Sequence, residues 1–356
     1  MEQTLTHGGD WAGYEAQYGT APLDFSANIS PLGLPPAVRE AAVRSLDQAA
    51  SYPDPLCRAL SGALAQAEGV DPDWCLCGNG AADLIYRAAL ARRPARALVT
   101  APAFSEYEAA LELVQCRTDR FVLREEDDFG LDQGFVEAVG PETDMVFLCQ
   151  PNNPTGRAVP RPLLERVLER CRAVGALLVV DECFCDFLDD PGGFTMTGLL
   201  GEYGNLLVLK AFTKLYAMAG LRLGYCLCSD RALLDAMRGA GQPWAVSGPA
   251  QAAGAAALGE TEYVRDLRAL IGRGRRRLAA ELSRLGLRVI PGEANYLLFR
   301  SHTPLIQPLR ERGILLRDCG NYHGLEAGWY RAAVRTAEEN DRLTAALEEI
   351  LKEGAP

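Results

Sequence analysis

The middle of the chain alternates between short, unbroken apolar runs and helical patterns, and few folds accept that rhythm. Ala97–Thr100, Met145–Cys149, Ala176–Asp181, Leu206–Leu209 and Leu223–Cys228 read as buried strands. Helical patterns at Ala81–Ala91, Ser105–Val114 and Arg161–Val174 separate most of them. A strand that is apolar on both faces needs cover on both faces, so the pattern predicts an α/β fold with a mostly parallel sheet between helix layers. Ser105 followed by Glu108 fits a capping box, and Thr336 with Glu339 fits a second one opening the last helix. After Ser247 the pattern is helical to about Leu285, and the run Asn295–Phe299 is strand-like. The expected organisation is a large α/β domain over residues 45–245 and a smaller α+β domain from residues 1–44 and 246–356. The Arg273–Arg277 cluster reads as a solvated helix face.

The formal charge of −11 argues against nucleic acid and anionic membrane surfaces as partners. Apolar runs such as Ala176–Val180 and Ala252–Leu258 are far too short to span a bilayer. The start M-E-Q-T-L-T-H-G-G-D has no basic or apolar leader pattern, so the expected location is cytoplasmic. Eleven cysteines form no disulfide framework. Cys75/Cys77, Cys183/Cys185 and Cys226/Cys228 are two apart, a spacing that suits one face of a strand better than zinc. With three histidines in the chain, no metal site is expected.

Only three of the 36 basic residues are lysines: Lys210, Lys214 and Lys352. Compositional bias accounts for the scarcity but not for the setting of Lys214. Arginine keeps its proton, whereas a lysine amine can lose it and attack a carbonyl. That makes a Schiff-base lysine the first hypothesis. Lys210 reads as a strand-end charge and Lys352 as part of a charged terminal helix.

Other segments point the same way. Gly78-Asn79-Gly80-Ala81-Ala82-Asp83 ends a strand-like stretch and opens a helix, where free N–H groups suit a phosphate. Pro151-Asn152-Asn153-Pro154-Thr155-Gly156 follows a strand at the sheet edge where open α/β sheets bind ligands. Asp181 ends another strand and offers a carboxylate to a cationic ring. Thr213, Lys214 and Arg222 together offer an amine and a phosphate clamp.

In this order and spacing, P-N-N-P-T-G, V-V-D-E and T-K-x-x-x-x-A-G-L-R-x-G-Y resemble the fold-type-I pyridoxal-phosphate (PLP) enzymes of the class I/II aminotransferase kind. The resemblance covers essentially the whole chain. It implies a seven-stranded, mostly parallel sheet in the large domain. It implies that Lys214 holds PLP and later carries a proton, and that Asp181 pairs with the pyridine nitrogen. By the same resemblance Asn153 bonds the ring oxygen and Phe104 stacks on the ring. Gly80, Ala81, Ala82, Thr213 and Arg222 hold the cofactor phosphate. Tyr52 is expected to reach the phosphate of the neighbouring subunit in a homodimer. Ala211 stands where the family often has Ser or Thr, which removes a phosphate hydrogen bond of about 1 kcal/mol.

Two subfamilies fit: threonine-phosphate decarboxylase and histidinol-phosphate aminotransferase. Three features resemble the first. They are the start His7–Asp10 (H-G-G-D) with Asp24–Gly33, Phe184 where aminotransferases usually have Tyr, and Arg335 where they have a small residue. The R-D-C run at Arg317–Cys319 also resembles the decarboxylase pattern. The implied reaction is decarboxylation of L-threonine O-3-phosphate in cobalamin biosynthesis, so the partner is a small phosphorylated amino acid. An aminotransferase, or a preference for O-phosphoserine, is the alternative. Asn28 and Arg331 are the candidates for the substrate carboxylate, and His7, Arg157 and Arg335 for its phosphate.

Overall fold

The computed structural model describes residues 7–353. The first six residues, on which the leaderless reading of the start partly rests, lie outside that range. The short strand β1 (Leu23–Asp24) comes first. The central sheet follows: β2 (Cys75–Gly78), β3 (Arg96–Ala101), β4 (Arg117–Val122), β5 (Met145–Cys149), β6 (Leu177–Asp181), β7 (Leu206–Ala211) and β8 (Gly224–Leu227). Their order is β2-β8-β7-β6-β5-β3-β4, and only β8 runs against its neighbours. This is the expected seven-stranded, mostly parallel sheet.

Each unbroken apolar run feeds two cores. Val146, Leu148, Leu178 and Val180 pack on one face, and Met145, Phe147, Leu177 and Val179 on the other. The first face also takes in Val38 and, from the helix Gly248–Ala257, Ala250, Ala253 and Ala257. A second, antiparallel sheet is built from β9 (Arg288–Val289), β10 (Tyr296–Arg300), β12 (Arg317–Asp318) and β13 (Trp329–Ala333), in the order β12-β13-β10-β9. The remaining strand, β11 (Ile314–Leu315), pairs in parallel with β1 and ties the amino-terminal segment to the carboxyl third.

Several local expectations are corrected. Strand β4 is absent from the sequence expectation, because R-T-D-R-F-V is a polar edge strand with no fully buried position. The capping box at Ser105 does not form: Ser105 has helical dihedrals and makes no side-chain cap, while Glu108 takes Arg120 instead. The box at Thr336 does form, with Thr336 Oγ1 accepting from Glu339 N at 3.3 Å and Glu339 Oε2 accepting from Thr336 N at 3.2 Å. The stretch after Ser247 breaks into two helices, Gly248–Ala257 and Thr261–Arg284. Arg275 is not solvated but buried, donating to the carbonyl oxygens of Glu293 and Ala294. Cys183 and Cys185 lie beyond β6 in a turn and a 3-10 helix, not on a strand face.

Lys210 is penultimate in β7 and buried, with its Nζ 3.1 and 3.2 Å from the Glu68 oxygens and 3.5 Å from Asp186. Burial opposes its charge, but Asp186, Glu68 and Glu182 outweigh that and hold its pKa above the usual lysine value. An amine locked in this way is no nucleophile. Among the described residues no helix is long and apolar enough to cross a membrane, and no group of side chains could hold a metal ion.

Candidate active site

The carboxyl ends of β5, β6 and β7 open into a cavity of about 210 Å³, whose wall includes Cys149, Asp181 and Ala211. Parallel strands ending together leave a crevice that loops and helix starts can line. The short helix Phe212–Leu215, directly after β7, brings Lys214 into its lining. Burial, followed by the nearby Arg331 charge, brings the Lys214 amine down to about 8. Four positions after a permanently charged lysine, the chain therefore holds one that is neutral in mild alkali.

Asp181 is buried at the end of β6. Its Oδ1 accepts from Cys183 N at 3.0 Å and its Oδ2 from the Tyr107 hydroxyl at 2.6 Å. Phe104 and Phe184 line the same cavity. Phe184 lacks a hydroxyl and packs edge-on against Tyr296 with centroids 5.0 Å apart.

One end of the cavity is a helix start. The 13-residue helix Gly80–Arg92 has no side-chain cap from Asn79, so its first-turn N–H groups are left to the cavity. Gly80 has φ +81, and a Cβ there would sit 2.6 Å from Arg222 Nη2. A Cβ on Gly224 would sit 2.5 Å from Ala81 N. Glycine at both positions lets Arg222 close against the helix start beside Ala81, Ala82 and Thr213.

The opposite wall comes from the small sheet and the amino-terminal arm. Arg331 on β13 is buried, donates to Asn153 Oδ1 and, at 2.9 Å, to Ser26 O. Its Nε has no partner, and neither has Asn28 Oδ1. Arg317 on β12 lies opposite Arg331 in register and also lines the cavity. His7 arrives at the mouth on a fixed arm, its Nε2 2.8 Å from Glu106 Oε1 and its ring tilted on Phe104. The H-G-G-D start explains the arm: Gly8 packs where a Cβ would meet Ser26 O at 2.4 Å, Gly9 has φ +90, and Asp10 caps the helix Trp11–Tyr18. Asp24 braces the same segment, accepting from Trp11 Nε1 at 2.7 Å and Ser26 N at 2.7 Å.

Two expected substrate residues, Arg157 and Arg335, are not brought to this cavity. Arg157 donates to Pro291 O at 3.0 Å and faces Glu293. Arg335 is drawn to Glu339 at 2.8 Å and to Asp24 O. Tyr52 is 79% exposed and stacks on Trp244, whose ring centroid is 4.5 Å away. Conversely, Arg317, Ser26 and Tyr322 line the cavity without having been assigned to it. R-D-C had drawn attention to Arg317, but only the β12–β13 register reveals its place opposite Arg331.

Residues 20–347 match the family described as aminotransferase class I and II. The chain belongs to that family. It is 40% identical to threonine-phosphate decarboxylase of Salmonella typhimurium, over 98% of both chains. It is 33% identical to histidinol-phosphate aminotransferase 1 of Cupriavidus pinatubonensis, over 93% of this chain and 88% of that one. Among solved structures, histidinol-phosphate aminotransferase from Sinorhizobium meliloti, in complex with pyridoxal-5'-phosphate, superposes with a TM-score of 0.87 at 25% identity, covering 99% of this chain and 97% of that one.

Family members of this fold-type-I kind depend on PLP, and this chain is a PLP-dependent enzyme. The cavity fits the cofactor. An uncapped helix start closed by Arg222 suits its phosphate, a buried carboxylate at the strand end suits its ring nitrogen, and a neutral-prone amine lines the same cavity.

Proposed function

We propose that this enzyme decarboxylates L-threonine O-3-phosphate to (R)-1-aminopropan-2-yl phosphate, a step of cobalamin biosynthesis. The observation that carries the reading is the cationic wall: Arg317 and Arg331 side by side across β12 and β13, with His7 at the mouth. A substrate bearing both a carboxylate and a phosphate needs two such anchors. The similarity to threonine-phosphate decarboxylase supports the same choice.

When bound, PLP supplies an electron sink for the bond at Cα that stands perpendicular to its ring. The protein's part is to hold and to aim. Asp181 would hold the ring nitrogen, Asn153 the ring oxygen and Phe104 the ring, while Arg222, Thr213 and the N–H groups of Gly80, Ala81 and Ala82 would hold the phosphate. Arg331 and Asn28, which line the same cavity, would hold the substrate carboxylate and so select the bond to carbon dioxide for cleavage. Lys214, whose amine exchanges its proton near pH 8, would hold that proton as an ammonium and give it up to Cα, returning to the neutral amine. Phe184 leaves the ring oxygen one donor short of the arrangement expected of an aminotransferase.

The deciding experiment is incubation with threonine phosphate, with and without 2-oxoglutarate. Carbon dioxide release without a keto acid is expected. Strict dependence on the acceptor would establish an aminotransferase instead. Equal turnover of O-phosphoserine would mean that the cavity does not read the methyl group, a feature worth about 1–3 kcal/mol where it is read.

The working unit in this reading is a homodimer. Leu32, Val43, Leu46, Tyr52, Leu56 and Trp244 are large apolar side chains left exposed, five of them between residues 32 and 56, more than a solitary chain usually leaves to water in one region. Tyr52 would thereby reach the neighbour's cofactor phosphate. Light scattering should give twice the 38.5 kDa chain mass, and Tyr52→Phe should weaken cofactor affinity by about threefold, as for one lost hydrogen bond. A monomer at micromolar concentration with full affinity for PLP would overturn this assembly.

A further inference from the structure

We infer that Tyr107 is a positioning residue that fixes the Asp181 carboxylate for its work on the cofactor ring. The inference rests on the proposed pairing of Asp181 with the ring nitrogen. Tyr107 belongs to the helix Glu106–Leu113, in a different layer from β6. Its hydroxyl nevertheless reaches Asp181 Oδ2 at 2.6 Å, and the residue is 1% exposed.

Three further contacts show why this hydroxyl does more than satisfy a buried polar group. The Tyr107 ring is stacked on Phe147 of β5, with centroids 5.0 Å apart and planes 12° apart, so the phenol has one fixed direction. Its edge abuts Phe104, centroids 5.7 Å apart at 84°, so the same ring braces an aromatic wall of the cavity. The other Asp181 oxygen is held by Cys183 N. One donor on each oxygen fixes the plane of the carboxylate, which a single contact would leave free to turn. Burial first, then the Asp181 charge, keep the phenol's pKa well above its ordinary value, so it donates throughout the working pH range. Its titratable neighbours are Asp181 and Cys149, and burial also raises the Cys149 thiol.

A hydrogen bond of this kind draws part of the negative charge of the carboxylate toward the phenol. Its strength therefore sets how much of that charge is left for a cationic ring nitrogen. The bond acts on the electron sink without touching it.

The test uses the holoenzyme with Tyr107→Phe, which keeps the ring and removes the hydroxyl. The cofactor dissociation constant should rise by about three- to tenfold and kcat should fall by about tenfold with KM little changed, the size of one charge-assisted hydrogen bond. The pH midpoint of the bound cofactor's visible absorption should move. Genetic replacement of Tyr107 by 3-fluorotyrosine, a stronger donor of nearly the same size, should move that midpoint in the opposite direction and serves if the phenylalanine variant folds poorly. In an Asp181→Asn background, Tyr107→Phe should add no further change in the spectrum. An unmoved midpoint and unchanged affinity in both Tyr107 variants, with Asp181→Asn impaired, would overturn the role of Tyr107 alone. Unchanged affinity and spectrum in Asp181→Asn would instead overturn the pairing on which it rests.

Discussion

Lys214→Ala is expected to abolish turnover, lowering kcat by at least about 10³-fold, and to remove the visible band of the holoenzyme. Loss of a positioned proton carrier alone accounts for about 10²–10⁴, and loss of the covalent hold on the cofactor adds to it. Lys214→Arg should do no better, because a guanidinium neither attacks a carbonyl nor gives up a proton near neutrality. Burial and Arg331 bring the Lys214 amine to about 8, so in the apo-protein it is neutral above that pH and protonated below. Capture of added PLP, followed by absorbance, should therefore slow as pH falls through about 8. A Lys214→Ala protein that kept both its colour and its activity would remove this lysine from the site. Lys210 would not take its place, since its amine is enclosed by Glu68 and Asp186.

Arg331→Leu is the second large expected effect. The wild-type side chain serves Asn153 Oδ1 and Ser26 O, and its Nε is without a partner in the cavity wall. Truncation leaves two buried acceptors unpaired at about 1–3 kcal/mol each, so the thermal midpoint should drop. If Arg331 also grips the substrate carboxylate, kcat/KM should fall by a further factor of about 10²–10³, mostly through KM, as for a lost charge-assisted pair. Bound PLP should keep its visible absorption. Arg331→Lys should restore the charge but not the fork, and with it only part of the loss. An unchanged KM in a folded Arg331→Leu protein would assign the carboxylate to another group.

The central sheet was legible because β5, β6 and β7 are buried on both faces and so carry unbroken apolar runs. Strand β4 was not, because an edge strand with alternating exposed positions carries no such signal. The cavity was legible to the extent that its residues sit in strand-end motifs, as Asp181, Asn153, Lys214 and Arg222 do. Arginines were the hard case. A guanidinium on a loop goes wherever acceptors are, and Pro291 O and Glu339 claim Arg157 and Arg335. Arg317 depended on strand register across the small sheet, which no local spacing encodes. The Tyr107 contact joins residues 74 positions apart and was equally out of reach of any motif.

The placement of the lysines also makes this chain convenient to map chemically. Lys210 is buried in its ion cluster and Lys352 is exposed on the final helix. Among the lysines, amine-directed coupling reagents should therefore attach the protein to a surface at Lys352, on a helix that does not line the cavity. Proteolysis after lysine has only three places to cut, and it releases Ala211–Lys214 as a tetrapeptide. Borohydride fixation of PLP to Lys214 would block the middle cut, so a single mass measurement on the segment from Ala211 to Lys352 reports where the cofactor sits.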